Sequence, residues 1–407
     1  MCSLSPSLGR NDSLPLRIDP ATAMSTEQLE LRIVNEIASI ERDSWDALLR
    51  PDDNPFVGWT FLEALEQSGC ASAERGWWPC HLTVWMGDHL LAASPAYIKT
   101  DSAGDFSRDW GFAESAARAN IPYYPKLVVG VPFSPVTGRR ALIREGLDQA
   151  EFVGYLVSLA TELARQSELS SVHVLYHHPD ECQAFESAGL CSRIMTQYHW
   201  HNRDYETTED WLGDLKSKRR TQIRRERREP AKQGLVLRTI RDDELRADAR
   251  GWARQAHRLY QLNTQKHFWG GAYLNLAFFE RVCDKLSDSV ELVVAERDGE
   301  VVAGAFNIAT SSHLFGRYWG CSEEHRFLHF NVCLYHSIDE CIRRSVQVFE
   351  GGAGGEHKLS RGFDPTFVYS SHLFLHEGFH DAVRRHFAAE AAAQRDEMET
   401  WRRRSSV

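Results

Sequence analysis

The stretch LTVWMGDHLLAASPAYIKT, beginning at Leu82, lines up with LVVAERDGEVVAGAFNIAT, beginning at Leu292, once a one-residue gap is allowed. Each copy reads as a strand, a tight turn and a second strand that runs on. Gly87-Asp88 marks the first turn and Asp298-Gly299 the second, both pairs that accept the positive φ of a hairpin. A hairpin that recurs in a chain of 407 residues argues for two related α/β halves. A single core seldom grows to that length.

The elements around the hairpins repeat in the same order. In the first half, strands are predicted over 31–37, 81–86, 91–98, 127–131, 171–177 and 194–201. Helical stretches start at Asp43, Trp59 and Asp180, and one spans 147–166. In the second half a basic helix covers 211–229 and stops at Pro230. A strand over 235–240, helices from Glu244 and Ala272, the hairpin 290–309 and a strand over 314–319 follow. Next comes an amphipathic helix with Phe330, Cys333, Leu334, Ile338, Cys341 and Ile342 on one face. A strand over 346–350, a Gly-rich loop, a strand over 367–375 and a C-terminal helix close the chain. The predicted domains are therefore 29–205 and 206–407, after a loose tail over 1–28.

Composition supports folded halves, with 43% hydrophobic and 26% charged residues. No run approaches the roughly 18 apolar residues of a transmembrane helix. The tail lacks a basic start and a continuous apolar stretch, so it does not read as a signal peptide. The nine cysteines contain no C-x-x-C pair, which fits reduced thiols in a cytoplasmic protein and no metal site. The net charge of −10 excludes nucleic-acid binding by bulk charge. Between Asp214 and Lys232, however, nine Lys/Arg face three Asp/Glu, a local balance of +6.

Several motifs carry a resemblance. They are NPFVGWTFLEALEQSG from Asn54, YYPKL from Tyr123, VPFSPVTGRR from Val131, KSKRRTQIRRERR from Lys216, KHFWGGAYLN from Lys266, LFGRYWGC from Leu314, HFNVCLYHSIDECI from His329 and GGAGGEHKLSRGF from Gly351. Together they resemble the FemAB-like family of peptidoglycan-biosynthesis proteins, over nearly all of the chain after about residue 30. The resemblance implies two tandem GNAT (acyl-CoA N-acyltransferase-like) domains and transfer of an acyl group to an amine. Better-known Fem enzymes, more distant relatives, take an amino acid from aminoacyl-tRNA to a peptidoglycan precursor.

Acyl transfer to an amine needs a proton acceptor, donors for a tetrahedral oxyanion and partners for the donor's phosphates. The loop 351–362 offers glycines for close backbone approach, followed by Glu356, His357, Lys358 and Arg361. Glu356 and His357 are alternative proton acceptors. If the segment is extended they face opposite ways. A plain surface turn before a charged strand is the alternative reading. Arg317 and Tyr318, in the GRYWG strand, are candidates for an anion contact and an acyl-channel wall; an aromatic core strand explains Tyr318 equally well. In the basic helix, Leu212, Leu215, Arg219 and Ile223 share an 80° sector at 100° per residue. Arg219 should then lie inward, paired with a protein carboxylate or a ligand, with Arg220 beside it as a further binding candidate. Arg224, Arg225 and Arg228 point outward, to solvent, RNA, membrane phosphates or a CoA nucleotide. Tyr124 and Lys126, and His267 and Trp269, suit the rim of a cleft between the halves. The VTGRR stretch is a weak phosphate signal. Residues 326–331 lack the glycines that an acetyl-CoA-using GNAT shows before its central helix.

Three functions fit these residues. The first is an N-acyltransferase using acyl-CoA or a similar donor. The second is a Fem-like transferase using aminoacyl-tRNA. The third is a non-catalytic protein that binds a cell-envelope precursor. The acceptor is a small-molecule, lipid or peptide amine, and contact with a membrane surface is compatible with the basic face.

Overall fold

The computed structural model describes residues 29–265, 271–352 and 354–405. The predicted tail over 1–28 lies outside the described residues, as do His267 and Trp269. The chain forms two compact units, residues 1–195 with 367–407, and residues 196–366. The strands in chain order are β1 (Leu29–Val34), β2 (Trp77–Pro79), β3 (His81–Met86), β4 (His89–Ser94), β5 (Ala96–Lys99), β6 (Lys126–Val129), β7 (Leu142–Ile143), β8 (Ser171–His177), β9 (Cys191–His201), β10 (Val236–Ile240), β11 (Val290–Arg297), β12 (Glu300–Ala309), β13 (His313–Cys321), β14 (Val348–Glu350) and β15 (Asp364–Phe374).

In the first unit, β1, β3, β4 and β7 form an antiparallel sheet. The strand expected over 91–98 is divided at Pro95 into β4 and β5, because proline brings no N–H to a ladder. β5 pairs with β2 and β6, β6 lies parallel to β8, and β8 pairs with β15. The helix Gln149–Gln166 connects β7 to β8 and is capped by Asp148, whose carboxylate accepts from the Glu151 amide at 2.8 Å. Its apolar stripe buries Phe152, Val153, Leu156, Leu159, Ala160 and Leu163 against β3, β4, β6 and β8. Truncating one such leucine costs about 2–5 kcal/mol.

The second unit runs β10–β11–β12–β13–β14–β9. All neighbours are antiparallel except the parallel pair β13 and β14. Thus β10–β11–β12 repeats the antiparallel arrangement of β1–β3–β4. Each hairpin also carries a bulge near the end of its first strand, at Val84/Trp85 and at Ala295/Glu296. Asp298 and Gly299 adopt φ of +52° and +83°, as the turn requires.

Two expectations are corrected. The predicted basic helix 211–229 is two helices, Thr208–Gly213 and Ser217–Arg227, so the apolar phase of Leu212 and Leu215 does not carry into the second. The segment 367–407, expected with the second half, belongs to the first unit because β15 pairs with β8.

Candidate functional site

Within the second unit, the parallel ladder between β13 and β14 has three steps, ending at Phe315 and Glu350. β13 continues to Cys321, held on its other edge by β12. β14 stops, and the chain turns away through Gly351, Gly352, Gly354 and Gly355. The two strands therefore part at Gly316, and one edge of β13 runs on without β14. Gly352, Gly354 and Gly355 adopt φ of +80°, +77° and +92°, which side-chained residues rarely do. A Cβ on Gly352 would also stand 3.3 Å from the Gly316 carbonyl oxygen.

A short 3-10 helix, Glu356–Arg361, follows the glycines. This corrects the extended reading. Residues three apart eclipse in a 3-10 helix, so Lys358 and Arg361 turn inward together while Glu356 and His357 stay exposed. Lys358 is 5% exposed and donates to the carbonyls of Gly352 at 2.7 Å and Gly354 at 2.9 Å. Both partners are carbonyl oxygens, and burial lowers the ammonium to about 8. Partial desolvation, with Lys358 and Arg361 nearby, lowers the His357 imidazole below its usual value.

Arg361 is buried, 5% exposed. Its Nη2 lies 3.2 Å from both carboxylate oxygens of Glu226. Its guanidinium carbon stands 3.4 Å from the centroid of the Phe330 ring. Glu226 is 1% exposed and also accepts from the Tyr335 hydroxyl and from Gln222. Asn331 donates to the backbone oxygen of Glu226 at 3.0 Å. Asn331 opens a π-helical segment, Asn331–Tyr335, in the helix predicted there to be α throughout. Such segments often mark functional sites. The sequence reading missed Glu226. At 100° per residue it falls in the same sector as Ile223, and a lone acid in a run of arginines was the available signal.

The remaining candidates divide by environment. Arg219 is exposed and donates to the Leu359 carbonyl at 2.8 Å, so the expected burial is corrected. It stands in the first turn of its helix, whereas the covered face begins at Ile223. Arg220 reaches the Gly213 carbonyl at 3.4 Å and closes the preceding helix. Tyr318 packs with Tyr260, Phe279 and Phe306 in an aromatic group. Arg317 lies over the Tyr318 ring, 5.5 Å from its centroid. Trp319 meets His329 edge-on at 5.1 Å.

In the first unit, Lys126 is fully buried between Asp105 at 2.8 Å and Asp109 at 2.5 Å, which corrects its reading as a rim residue. Burial pulls its pKa down, the two carboxylates lift it, and the net direction is up. Tyr124 exchanges a hydrogen bond with Ser102 at 2.8 Å. The VTGRR stretch is structural. Arg139 pairs with Asp53. Arg140, 1% exposed, donates to the carbonyls of Leu175 at 2.7 Å and Val136 at 2.6 Å. Gly138 donates to the Tyr176 carbonyl at 3.1 Å. This segment therefore lines the edge of β8 beyond the end of β6, with Gly138 bridged to His177.

Among the described residues, no group of His, Cys, Asp or Glu could hold a metal ion, and no helix is long and apolar enough to cross a membrane. A comparison with curated proteins gave no significant match. Among solved structures, FemX is similar at 11% identity and TM-score 0.50, over 85% of this chain and 98% of FemX. The C-terminal domain of a putative lysylphosphatidylglycerol synthetase from Agrobacterium fabrum is similar at 11% identity and TM-score 0.48, over 83% of this chain and 92% of that domain. A tandem GNAT protein from the clavulanic acid biosynthesis pathway follows at 12% identity and TM-score 0.44, over 85% and 98% of the two chains. The fold is α/β and of the tandem GNAT type, as the motifs implied. The sequence profile described as "Peptidogalycan biosysnthesis/recognition" matches residues 36–407, and the chain belongs to this FemAB-like family.

Proposed function

We propose that the second unit transfers an acyl group from an activated donor to an amine in cell-envelope metabolism. FemAB-like membership supports an acyltransferase-type role. The observation that carries the location is the parting of β13 and β14 at Gly316, beside the glycine turn and Lys358. Where neighbouring strands part, the amide-bearing arm of an activated donor can lie along the sheet with its N–H and C=O groups against the backbone. The Lys358 ammonium and the turn's amides supply positive potential where a tetrahedral oxyanion would form. His357, exposed and neutral near pH 7 by its lowered pKa, accepts the proton of the amine, with Glu356 as the alternative acceptor.

Acyl-CoA is the first donor reading. Aminoacyl-tRNA is the second, favoured by the exposed arginines Arg219 and Arg225 on one helix and Arg228 at its C-cap. The test is mass spectrometry of product formed by the purified protein with an amine panel and each donor class. Acyl transfer that falls about a hundredfold in His357→Ala or Glu356→Gln, with thermal stability kept within about 1 kcal/mol, is the expected result. Full activity in both variants would move the chemistry elsewhere. Absence of product with every donor would favour a non-catalytic binder of an envelope precursor.

A further inference from the structure

The loop before the helix Trp110–Arg118 in the first unit alternates strictly between buried and exposed side chains. Asp105, Ser107 and Asp109 are buried, at 5%, 1% and 2% exposure. Phe106, Arg108 and Trp110 between them are exposed, and Trp110 reaches 70%. The buried set is anchored several times over. Asp105 and Asp109 hold Lys126, and Asp109 also accepts from Tyr123 at 2.9 Å. The Ser107 carbonyl accepts from Arg193 at 2.9 Å, and the Phe106 carbonyl from Tyr176 at 2.7 Å. Phe106 and Arg108 adopt φ of +57° and +52°, a conformation that side-chained residues avoid unless their surroundings impose it. The anchors hold the backbone there and keep the two aromatic rings pointing outward.

Charge is sorted across the same loop. Its acids, Asp105 and Asp109, face inward onto Lys126, so Arg108 is the charge between the two rings, and the flanking exposed acids are paired, Asp101 with Lys99 and Glu114 with Arg118. A cation between two exposed aromatics has the chemistry of a bilayer interface. A tryptophan settles at the headgroup level, a phenylalanine beside it buries in the boundary with the acyl chains, and the guanidinium takes phosphate oxygens in a forked geometry.

We propose that Phe106, Arg108 and Trp110 dock the protein on a phospholipid surface containing anionic headgroups. This surface is separate from the acyl-transfer reading and stands whether or not that reading holds. The experiment is flotation of the full chain with vesicles of phosphatidylcholine and phosphatidylglycerol, beside Arg108→Glu and the double variant Phe106→Ser/Trp110→Ser. The wild-type chain is expected to float. Each variant should lose about tenfold of the bound fraction, with an unchanged melting temperature, as one or two weak anchors are removed from a marginal attachment. Should the double variant fail to fold, Arg108→Glu alters only an exposed side chain and decides the matter alone. A wild-type chain that stays out of the vesicle fraction, or equal flotation of all three proteins, would overturn the proposal. So would loss of a dimer in the variants, which would assign the surface to a second copy of the chain.

Discussion

The Tyr335 hydroxyl donates to Oε2 of Glu226 at 2.5 Å, and the same carboxylate meets Arg361. One buried acid thus joins the basic helix, the π-helical segment and the helix that carries Lys358. Burial, followed by the bond to Glu226, raises the Tyr335 pKa, which keeps the phenol a donor. Glu226→Ala leaves the Arg361 charge buried without its carboxylate and is expected to cost about 3–5 kcal/mol. Tyr335→Phe leaves a carboxylate lone pair unmet and should cost about 1–3 kcal/mol. Urea denaturation measures both, and the double variant should cost less than their sum because both act on one carboxylate.

Lys358 predicts an alkaline signature. Its pKa is about 8 in the folded protein, against 10.5 for an ordinary lysine. Below 8 the ammonium is charged in both the folded and the unfolded chain, so its desolvation cost is present in full. Between 8 and 10.5 the unfolded chain binds more protons, and stability rises with pH. The gain approaches about 3 kcal/mol at most. Lys358→Met should abolish this rise, which chemical denaturation at a series of pH values would show by the difference between the two proteins. An identical pH dependence in both would mean that the ammonium is well solvated.

The buried group around Lys126 predicts the opposite end of the pH scale. Burial raises the Asp109 carboxyl, but Lys126 and His173 more than offset this, and the net shift is below the usual 3.8. A lowered carboxylate stabilises the fold above its unfolded pKa and loses that contribution as the medium becomes more acidic. Asp109→Asn should therefore flatten the acid limb of the stability curve below about pH 4. Lys126→Met should cost about 3–5 kcal/mol at neutral pH, since it strands two buried carboxylates.

The exposed arginines separate the two donor readings. Arg225→Ala with Arg228→Ala should change stability by less than about 0.5 kcal/mol, as surface substitutions do. Turnover with an acyl-CoA donor should stay within about twofold. If aminoacyl-tRNA is the donor, affinity for it should fall and its salt dependence should weaken by about one counter-ion per arginine lost.

Much of the architecture is legible in the sequence because it rests on local patterns. The hairpins at Leu82 and Leu292 announce themselves by alternation and turn residues, and the stripe from Phe152 to Leu163 by helical spacing. The glycines at 352, 354 and 355 mark the place where β13 and β14 part. What was not legible depends on partners distant in the chain. Arg219 and Glu226 occupy the same sector of one helix, and spacing alone does not tell which of them the fold covers. Tyr335 and Arg361 choose Glu226, from positions more than a hundred residues on. Lys126 and Arg140 looked like ligand groups for the same reason, since their partners at Asp105, Asp109 and Leu175 are brought to them only by the folded chain.

The exchange of β15 sets an order of events during synthesis. A ribosome that has just emitted Thr366 has released every residue of the second unit, while the first still lacks the strand that pairs with β8. The half begun first is thus the last whose sheet can be finished. Until then β8 offers an open edge, which other chains can pair with. A premature stop before Tyr369, where the pairing with β8 begins, would leave that edge permanently open, and aggregation, more than loss of one activity, is what such a product should show in a cell.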